Sequence, residues 1–230
     1  MERKKLVFFT GAGVSAESGL QTFRDSADGL WNNYQIEDVC TPDAWKRNPA
    51  LVLEFYNHRR EQCIKALPNE AHLLIAALEK DFDVVVVTQN VDDLHERAGS
   101  SHVIHLHGEL MLSRSTLDPS LVYPCNTKIV MGDTCYNGSQ LRPHIVWFGE
   151  MLDDSIMEQA IHQVMAADIC VIIGSSMQVY PANGIPSYVK ETCRLYLIDP
   201  KKVSHSLHHK GIHHLQATAV NGMKELVRLL

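Results

Sequence analysis

The chain has 230 residues, of which 45% are hydrophobic and 21% are charged, and its formal net charge at pH 7 is −6. These values are typical of a globular protein with one large domain, or with one domain and a smaller insert. The negative charge and the absence of Lys/Arg runs argue against a nucleic-acid binder that depends on phosphate contacts, and no apolar stretch is long enough to span a membrane.

The first predicted element is a buried strand that ends in a glycine turn. The apolar run 6–9 precedes Thr10 without polar alternation, which favours a strand covered on both faces. Gly11 and Gly13 allow a tight turn and a close approach of a ligand, and a helix from Ser15 would point free N–H groups at an anion. This G-x-G-x-x-A pattern indicates a dinucleotide pyrophosphate site, although a tight connection alone also accounts for it. The acid that ordinary dehydrogenases carry about twenty residues later is not evident, which disfavours that class.

Three helices are predicted after this turn. Thr41-Pro42 and Asn48-Pro49 are typical helix starts, and Pro68-Asn69 marks the third. The apolar side chains that the second helix is predicted to turn inward are Leu51, Val52, Phe55 and Tyr56. Those of the third helix are Leu73, Leu74, Ala77 and Leu78.

The rest of the chain alternates apolar strands with helices. A run of valines between Asp83 and Thr88 is the clearest strand. Further strands are predicted at 103–106, 144–148, 169–173 and 195–198, and helices at 153–167 and 220–230. The segment 109–143 shows little periodicity and is predicted to be irregular. The alternation predicts an α/β fold, with a parallel sheet covered by helices on both faces.

Ligands of such sheets bind at the carboxyl ends of the strands. Here those ends carry Gly11, Gln89, His107 and the run 174–176. We therefore expect these residues to meet at one edge of the sheet.

Two of these positions also have ordinary structural explanations. Asn90 and Asp92 could cap a short helix through Leu94, as polar residues at strand ends often do. His107 is either a core histidine or, because the pKa of histidine lies near neutrality and Gly108 leaves space, a general base.

Several motifs taken together resemble the sirtuin family in order and spacing. They lie at residues 11–19, 22–24, 88–92, 107–108, 147–150 and 174–176. The spacing is most similar to that of the short bacterial sirtuins, and the resemblance covers nearly the whole chain. It implies a Rossmann-like domain built from 1–24, 76–108 and 144–230. A small module would comprise 25–75 and 109–143, with the acyl group in a tunnel between the two.

Sirtuins are NAD-dependent protein-lysine deacylases, so the resemblance implies NAD as cofactor. The implied catalytic residues are His107, as the base that activates a ribose hydroxyl, and Asn90 and Asp92, which would form the nicotinamide pocket. Gly11, Ala12 and Gly13 would receive the pyrophosphate. The other implied NAD contacts are Glu17, Thr22, Phe23, Arg24, Trp31, Gln89, Val91, Gly174, Ser175, Ser176, Asp199 and Ala217.

The partner that the resemblance implies is an acylated lysine of a protein substrate. Phe148, Gly149 and Glu150, together with Val146, would lend a strand edge to the substrate peptide. Because main-chain pairing reads backbone, little sequence preference around the lysine is expected.

Tyr56 and Arg59 suggest which acyl group is taken. At i and i+3 they share one helix face, and they resemble the Tyr-x-x-Arg of family members that accept succinyl- and malonyl-lysine. A guanidinium binds a carboxylate with two hydrogen bonds, and a tyrosine hydroxyl can add a third. The alternative is an amphipathic helix with a packed tyrosine and a solvated arginine.

Many sirtuins hold a structural zinc with two pairs of cysteines, but this chain departs from that pattern. The segment 109–143 has only Cys125 and Cys135, and Ser115 stands where a first ligand might be expected. We predict no structural zinc and no other metal site. The histidines between 205 and 214 are more typical of a solvated loop and an edge strand than of a metal tract.

The six cysteines form no C-x-x-C pair, which favours reduced thiols in a cytoplasmic protein. The sequence does not indicate the oligomeric state. Two rival functions remain open: a mono-ADP-ribosyltransferase that uses the same NAD site, and a non-catalytic NAD-binding module.

Overall fold

A six-stranded parallel sheet forms the centre of the molecule. The computed structural model describes residues 3–20, 34–201, 209 and 211–230. The strands are β1 (Lys5–Thr10), β2 (Asp83–Thr88), β3 (Val103–His105), β4 (Gly108–Ser115), β5 (Val122–Pro124), β6 (Leu141–Ile145), β7 (Ile169–Ile173), β8 (Arg194–Ile198) and β9 (Ile212–Leu215). The large sheet has the order β3-β2-β1-β7-β8-β9, and all its neighbouring strands run parallel. The predicted α/β fold is confirmed.

Seven α-helices surround and extend the sheets in the described part of the chain. They are α1 (Ile36–Val39), α2 (Pro42–Arg47), α3 (Pro49–Lys65), α4 (Glu70–Ala77), α5 (Leu94–Arg97), α6 (Asp154–Ala166) and α7 (Ala219–Leu229). Short 3-10 segments lie at Ala12–Val14, Ala16–Ser18, Leu78–Lys80 and Ala182–Tyr188. The prediction of a helix from Ser15 is therefore wrong, because this part of the chain forms two short 3-10 segments, Ala12–Val14 and Ala16–Ser18. No helix among the described residues is both long and apolar enough to cross a membrane.

The apolar strands bury both of their faces. On one face Val7, Val85 and Ile172 pack against α6 and the 3-10 segment Ala182–Tyr188. The other face of the sheet packs against α4 and α7. Strand β1 pairs with β2 on one side and with β7 on the other, so the strand order reverses at β1. In parallel sheets ligands bind at the carboxyl ends of the strands beside such a reversal.

The segment 109–143 is not irregular, and this prediction was wrong. It contributes β4, β5 and part of β6 to a three-stranded antiparallel sheet of order β5-β4-β6. A register shift between Glu109 and Ser113 disturbs the alternation of buried and exposed residues, and Pro143 lies inside β6. Both features hide the strands from a periodicity search. The division of the chain into a main domain and a small module stays a prediction.

Two predicted boundaries also need correction. The strand predicted at 144–148 is β6, which ends at Ile145, so that residues 146–150 lie outside the sheet. Helix α4 turns Ala71 and Ile75 inward, whereas Leu73 is 51% exposed. The starts predicted at Pro42, Pro49 and Asn69 are confirmed, because Thr41, Asn48 and Asn69 each cap a helix with a side-chain oxygen.

Helix α3 is fixed to its surroundings at three places. The buried Arg60 donates from Nε to the Leu110 carbonyl on β4 at 2.8 Å. Asn57 exchanges two hydrogen bonds with the main chain of Ile129. Arg97 of α5 donates to the Cys63 and Ala66 carbonyls at the C-terminal end of α3. Helix α3 is therefore tied to the antiparallel sheet and its loop through Arg60 and Asn57, and to α5 through Arg97.

Candidate active site

Two glycine turns touch backbone to backbone at the carboxyl edge of the sheet. The Gly13 N–H donates to the Gly174 carbonyl at 2.9 Å, and Gly174 has a φ of +62°. A Cβ on Gly13 would lie 2.7 Å from the Gly174 Cα, and one on Gly11 would lie 2.7 Å from the Gly174 oxygen. The glycines are thus required by packing as well as by any ligand, and they leave bare main chain at this edge of the sheet.

A buried serine joins the two residues predicted to form the nicotinamide pocket. Ser15 Oγ donates to Asp92 Oδ2 at 3.0 Å and accepts from Asn90 Nδ2 at 3.1 Å. His72 Nε2 reaches the same oxygen at 3.5 Å. The main-chain N–H of Asn69 can only donate, and it points to His72 Nδ1, so His72 carries its proton on Nε2. Ser15 is not among the site residues predicted from the sequence, and its position inside the glycine motif is the one signal that points to it.

The Asp92 carboxylate has two functions. One oxygen accepts from Ser15, and the other accepts from the Leu94 N–H at 3.2 Å. The capping explanation is therefore correct for one oxygen, although the N-cap residue of α5 is Asp93. Burial raises the pKa of Asp92, while the Leu94 N–H and Ser15 oppose that shift.

His107 is held in the tautomer that a base needs. Its Nδ1 lies 2.9 Å from the Gln89 carbonyl, which can only accept, so Nδ1 carries the proton. Nε2 is then free to accept a proton, and no group among the described residues bonds to it. Burial lowers the pKa of His107, partly offset by the Gln89 carbonyl. The imidazole is therefore neutral at pH 7 and can act as a general base.

Gln89 has an unused donor at the same edge. Its Oε1 accepts from Ser175 Oγ at 2.7 Å, which joins the ends of β2 and β7. Its Nε2 is buried and has no partner within the described residues. A buried donor without a partner is costly unless a ligand supplies the acceptor. This donor and the bare main chain of Gly11 and Gly13 fit a bound dinucleotide with ribose oxygens.

Several other predicted NAD contacts have partners of their own. Glu17 accepts from Thr218 Oγ1 and from the Val220 N–H at the start of α7. The Asp199 side chain accepts from the Lys201 N–H. The main chain of Ala12, Val91 and Ala217 makes local turns and strand contacts, and Ser176 follows Ser175 at the same edge. The predicted residues Thr22, Phe23, Arg24 and Trp31 lie outside the described part of the chain.

The predicted peptide-binding segment is a turn beyond the end of β6. Val146 donates to the His107 carbonyl at 2.9 Å, which places the turn next to the base. Phe148 is 44% exposed, and Gly149 has a φ of +89°. The Glu150 N–H closes the turn on the Trp147 carbonyl.

The Glu150 carboxylate is bound internally. It takes two hydrogen bonds from Arg142 and one each from Arg114 and the Trp147 N–H. Burial raises the pKa of Glu150, but the Arg142 hydrogen bond and charge outweigh it and leave the pKa lowered. Glu150 thus shapes the turn through its side chain.

Tyr56 lies in an apolar cluster between α3 and this turn. It is 5% exposed, and its ring centroid is 6.4 Å from that of Trp147. Its hydroxyl donates to Cys40 Sγ at 3.4 Å. Burial lowers the pKa of Arg59, and the charge of Asp92 is the largest influence opposing that shift. Arg59 therefore lies within electrostatic reach of the proposed nicotinamide pocket, with Tyr56 one turn away.

Ser115, which stands where a first zinc ligand might be expected, is hydrogen-bonded to a second serine. Ser115 Oγ and Ser139 Oγ are 2.6 Å apart, and Cys135 Sγ lies 3.0 Å from Ser139 Oγ. Ser115 also accepts from the main chain of Leu117 and Asp118. Neutral serine hydroxyls are poor zinc ligands. In the described residues, no group of three or more His, Cys, Asp or Glu side chains is placed to hold a metal.

The chain is similar in sequence and in structure to several known proteins. Residues 11–181 match the model of the Sir2 family. The chain is 51% identical over 234 residues to an NAD-dependent protein deacylase of Bacteroides thetaiotaomicron, covering 99% of this chain and 98% of that protein. It is 48% identical over 224 residues to an NAD-dependent protein deacylase of Helicobacter pylori, covering 97% and 96%. A solved Sir2 homologue in complex with NAD has a TM-score of 0.88 and 40% identity, over 99% of this chain and 90% of its own.

Proposed function

The chain belongs to the Sir2 family and is an NAD-dependent protein-lysine deacylase, and we propose that it prefers acyl groups that end in a carboxylate, such as succinyl and malonyl. We further propose which residues bind NAD, which one transfers the proton and which recognise the acyl group. The observation that carries the preference is that Tyr56 is buried beside Trp147 on α3, while the half-buried Arg59 follows three residues later and is within electrostatic range of Asp92.

NAD, when bound, supplies the ribose carbon that takes up the acyl oxygen and releases nicotinamide. Because Gly11 and Gly13 carry no side chain, the pyrophosphate would be able to approach the main chain there closely. The Gln89 Nε2 donor would find its acceptor on the nicotinamide-side ribose. The products are nicotinamide, the free lysine and O-acyl-ADP-ribose.

Asn90 and Asp92 form the nicotinamide end of the site. Ser15 fixes both side chains, because its hydroxyl accepts from one and donates to the other. The main-chain carbonyl of Asn90 accepts a hydrogen bond from His105 Nδ1 at 3.0 Å. The pocket is therefore rigid before the ligand arrives, which is what orientation of a leaving group requires.

His107 moves the proton. With Nδ1 bonded to the Gln89 carbonyl, Nε2 would be free to accept the proton of a ribose hydroxyl of bound NAD. The half-buried position of His107 would limit the access of bulk water to the acyl group.

The Tyr56 and Arg59 pair supplies the acyl preference. A free carboxylate at the end of the acyl chain would take two hydrogen bonds from the Arg59 guanidinium and one from the Tyr56 hydroxyl. An acetyl group offers no partner to either side chain. The apolar walls around Tyr56 strengthen these charged hydrogen bonds by excluding water.

The test compares acetyl-lysine and succinyl-lysine peptides of one sequence, with NAD, by release of the free lysine. We expect the wild type to favour succinyl and Arg59→Met to reverse the order. Arg194→Met, which removes an exposed arginine at the start of β8, is the matched control and should leave the order unchanged. An acetyl preference in the wild type that Arg59→Met does not alter would refute the carboxylate clamp and leave the deacylase in place. Labelled ADP-ribose on protein without free lysine would instead favour the transferase.

A cytoplasmic location is also proposed. All six cysteines are free thiols, which suits a reducing compartment.

A further inference from the structure

Cys40 connects the two parts of the structure that would contact the substrate. It follows α1 directly, and its Sγ accepts the Tyr56 hydroxyl at 3.4 Å. Its main-chain carbonyl accepts the Phe148 N–H at 2.9 Å. One residue thus touches both the tyrosine of the proposed acyl clamp and the turn that would receive the peptide.

In the free enzyme the Cys40 sulfur is the hydrogen-bond acceptor of the Tyr56 hydroxyl. Cys40 and Tyr56 are each 5% exposed and lie in one apolar cluster with Ile145 and Trp147. Burial raises the pKa of the Cys40 thiol to about 11, so the sulfur stays protonated and neutral. In the described residues, the Cys40 sulfur is the acceptor that the Tyr56 hydroxyl meets.

We propose that Cys40 is a positioning residue that sets the preference for carboxylate-bearing acyl groups by holding the Tyr56 hydroxyl weakly. This inference rests on the proposed function, because it concerns the acyl end of the same site. A thiol sulfur is a weak acceptor, whereas a carboxylate is a strong one. The hydroxyl is therefore kept in place in the free enzyme and passes to the acyl carboxylate at little cost.

The chemistry of the acceptor predicts opposite effects for two small replacements. Cys40→Ser offers a stronger oxygen acceptor that competes with the acyl carboxylate. Cys40→Ala leaves the buried hydroxyl without an acceptor until the carboxylate arrives, so succinyl binding gains the hydrogen bond that the free enzyme lacks. We expect the succinyl-to-acetyl ratio of kcat/KM to fall by about three- to tenfold in Cys40→Ser and to rise by about the same factor in Cys40→Ala.

The decisive experiment repeats both replacements in a Tyr56→Phe background. Without the hydroxyl, Cys40→Ser and Cys40→Ala should leave the ratio where Tyr56→Phe alone puts it. A change of pocket volume would persist in that background, so this arm separates acceptor strength from size. Cys193→Ser is the matched control: it makes the same exchange at a thiol that is 3% exposed and packs in the core of the main sheet.

The outcomes separate this inference from the function on which it rests. Suppose that Arg59→Met lowers the ratio. If both Cys40 replacements then shift the ratio in the same direction, or shift it as much in the Tyr56→Phe background as in the protein that keeps Tyr56, Cys40 does not act through the hydroxyl. If Arg59→Met leaves the ratio unchanged, the carboxylate clamp fails, and the role of Cys40 fails with it. Opposite shifts that vanish with Tyr56→Phe establish the proposal.

Discussion

Two buried polar clusters in this molecule differ in what they leave unsatisfied. At the carboxyl edge of the main sheet, Gln89 Nε2 has no described partner and His107 Nε2 accepts from none. At the end of β4, Ser115 bonds to Ser139 at 2.6 Å, and Ser139 bonds to Cys135 at 3.0 Å; both partners lie in the loop before β6. The first cluster has spare donors and acceptors for a ligand, whereas the second has used its own.

The two clusters differ in their unused hydrogen-bonding groups and not in their burial. Both clusters are largely buried and polar, so burial alone does not identify a site. Unused hydrogen-bonding capacity beside bare glycine main chain does. The four predictions that follow test whether the first cluster serves chemistry and the second serves stability.

Removing the base should give the largest effect. His107→Ala deletes the acceptor of the ribose proton, and we expect deacylation to fall by about 10²- to 10⁴-fold. Nicotinamide release should fall less, because the Ser15, Asn90 and Asp92 end of the site is intact. Single-turnover assays of nicotinamide and of free lysine measure the two steps. Equal loss of both would mean that His107 acts through structure.

Acid should weaken the site region through His72. Burial lowers the pKa of His72 to about 4, so the unfolded chain binds its proton first as pH falls. The contribution of His72 to the unfolding free energy is therefore fully present above the ordinary histidine pKa near 6.5, and about 3 kcal/mol of it is lost down to pH 4. His72→Asn keeps an acceptor for the Asn69 N–H without titrating, so its decline should be shallower. Urea unfolding at pH 7, 5.5 and 4.5 checks this; parallel curves for both proteins would contradict it.

Ser15→Ala should affect chemistry more than stability. It removes the hydroxyl that fixes both Asn90 and Asp92, and leaves an amide and a buried carboxylate without that partner. We expect kcat/KM for NAD to fall by about 10- to 100-fold. Ser115→Ala is the matched control, since it removes an equally buried hydroxyl from the second cluster. Comparable losses of activity in the two variants would erase the distinction between the clusters.

Much of the fold follows from the sequence because its signals are local. The runs 6–9 in β1, 84–87 in β2 and 169–173 in β7 are apolar without alternation, which is typical of strands with two covered faces. Once the sheet is known to be parallel, Gly11, Gln89 and His107 must lie at one edge. The family resemblance then assigned most of the candidate site.

What the sequence could not supply depends on pairings between distant residues. Ser15 matters because of Asn90 and Asp92, more than seventy positions away. The Glu150 carboxylate is bound by Arg142, eight positions away, and by Arg114, thirty-six positions away. Neither pairing leaves a periodic pattern or a motif, so only the folded chain reveals it.

The smallest effect should come from the second cluster, and it bears on metal. Ser139→Ala removes one partner from both Ser115 and Cys135, a loss of about 1 kcal/mol that lowers Tm by roughly 2–4 °C for a chain of this size. Activity should follow Tm alone, and prolonged treatment with a chelator should change neither. Elemental analysis of the untreated protein measures whether it contains zinc. One zinc per chain, lost on chelation with a larger fall in Tm, would mean that this cluster binds a metal and is not a self-contained hydrogen-bonded replacement for one.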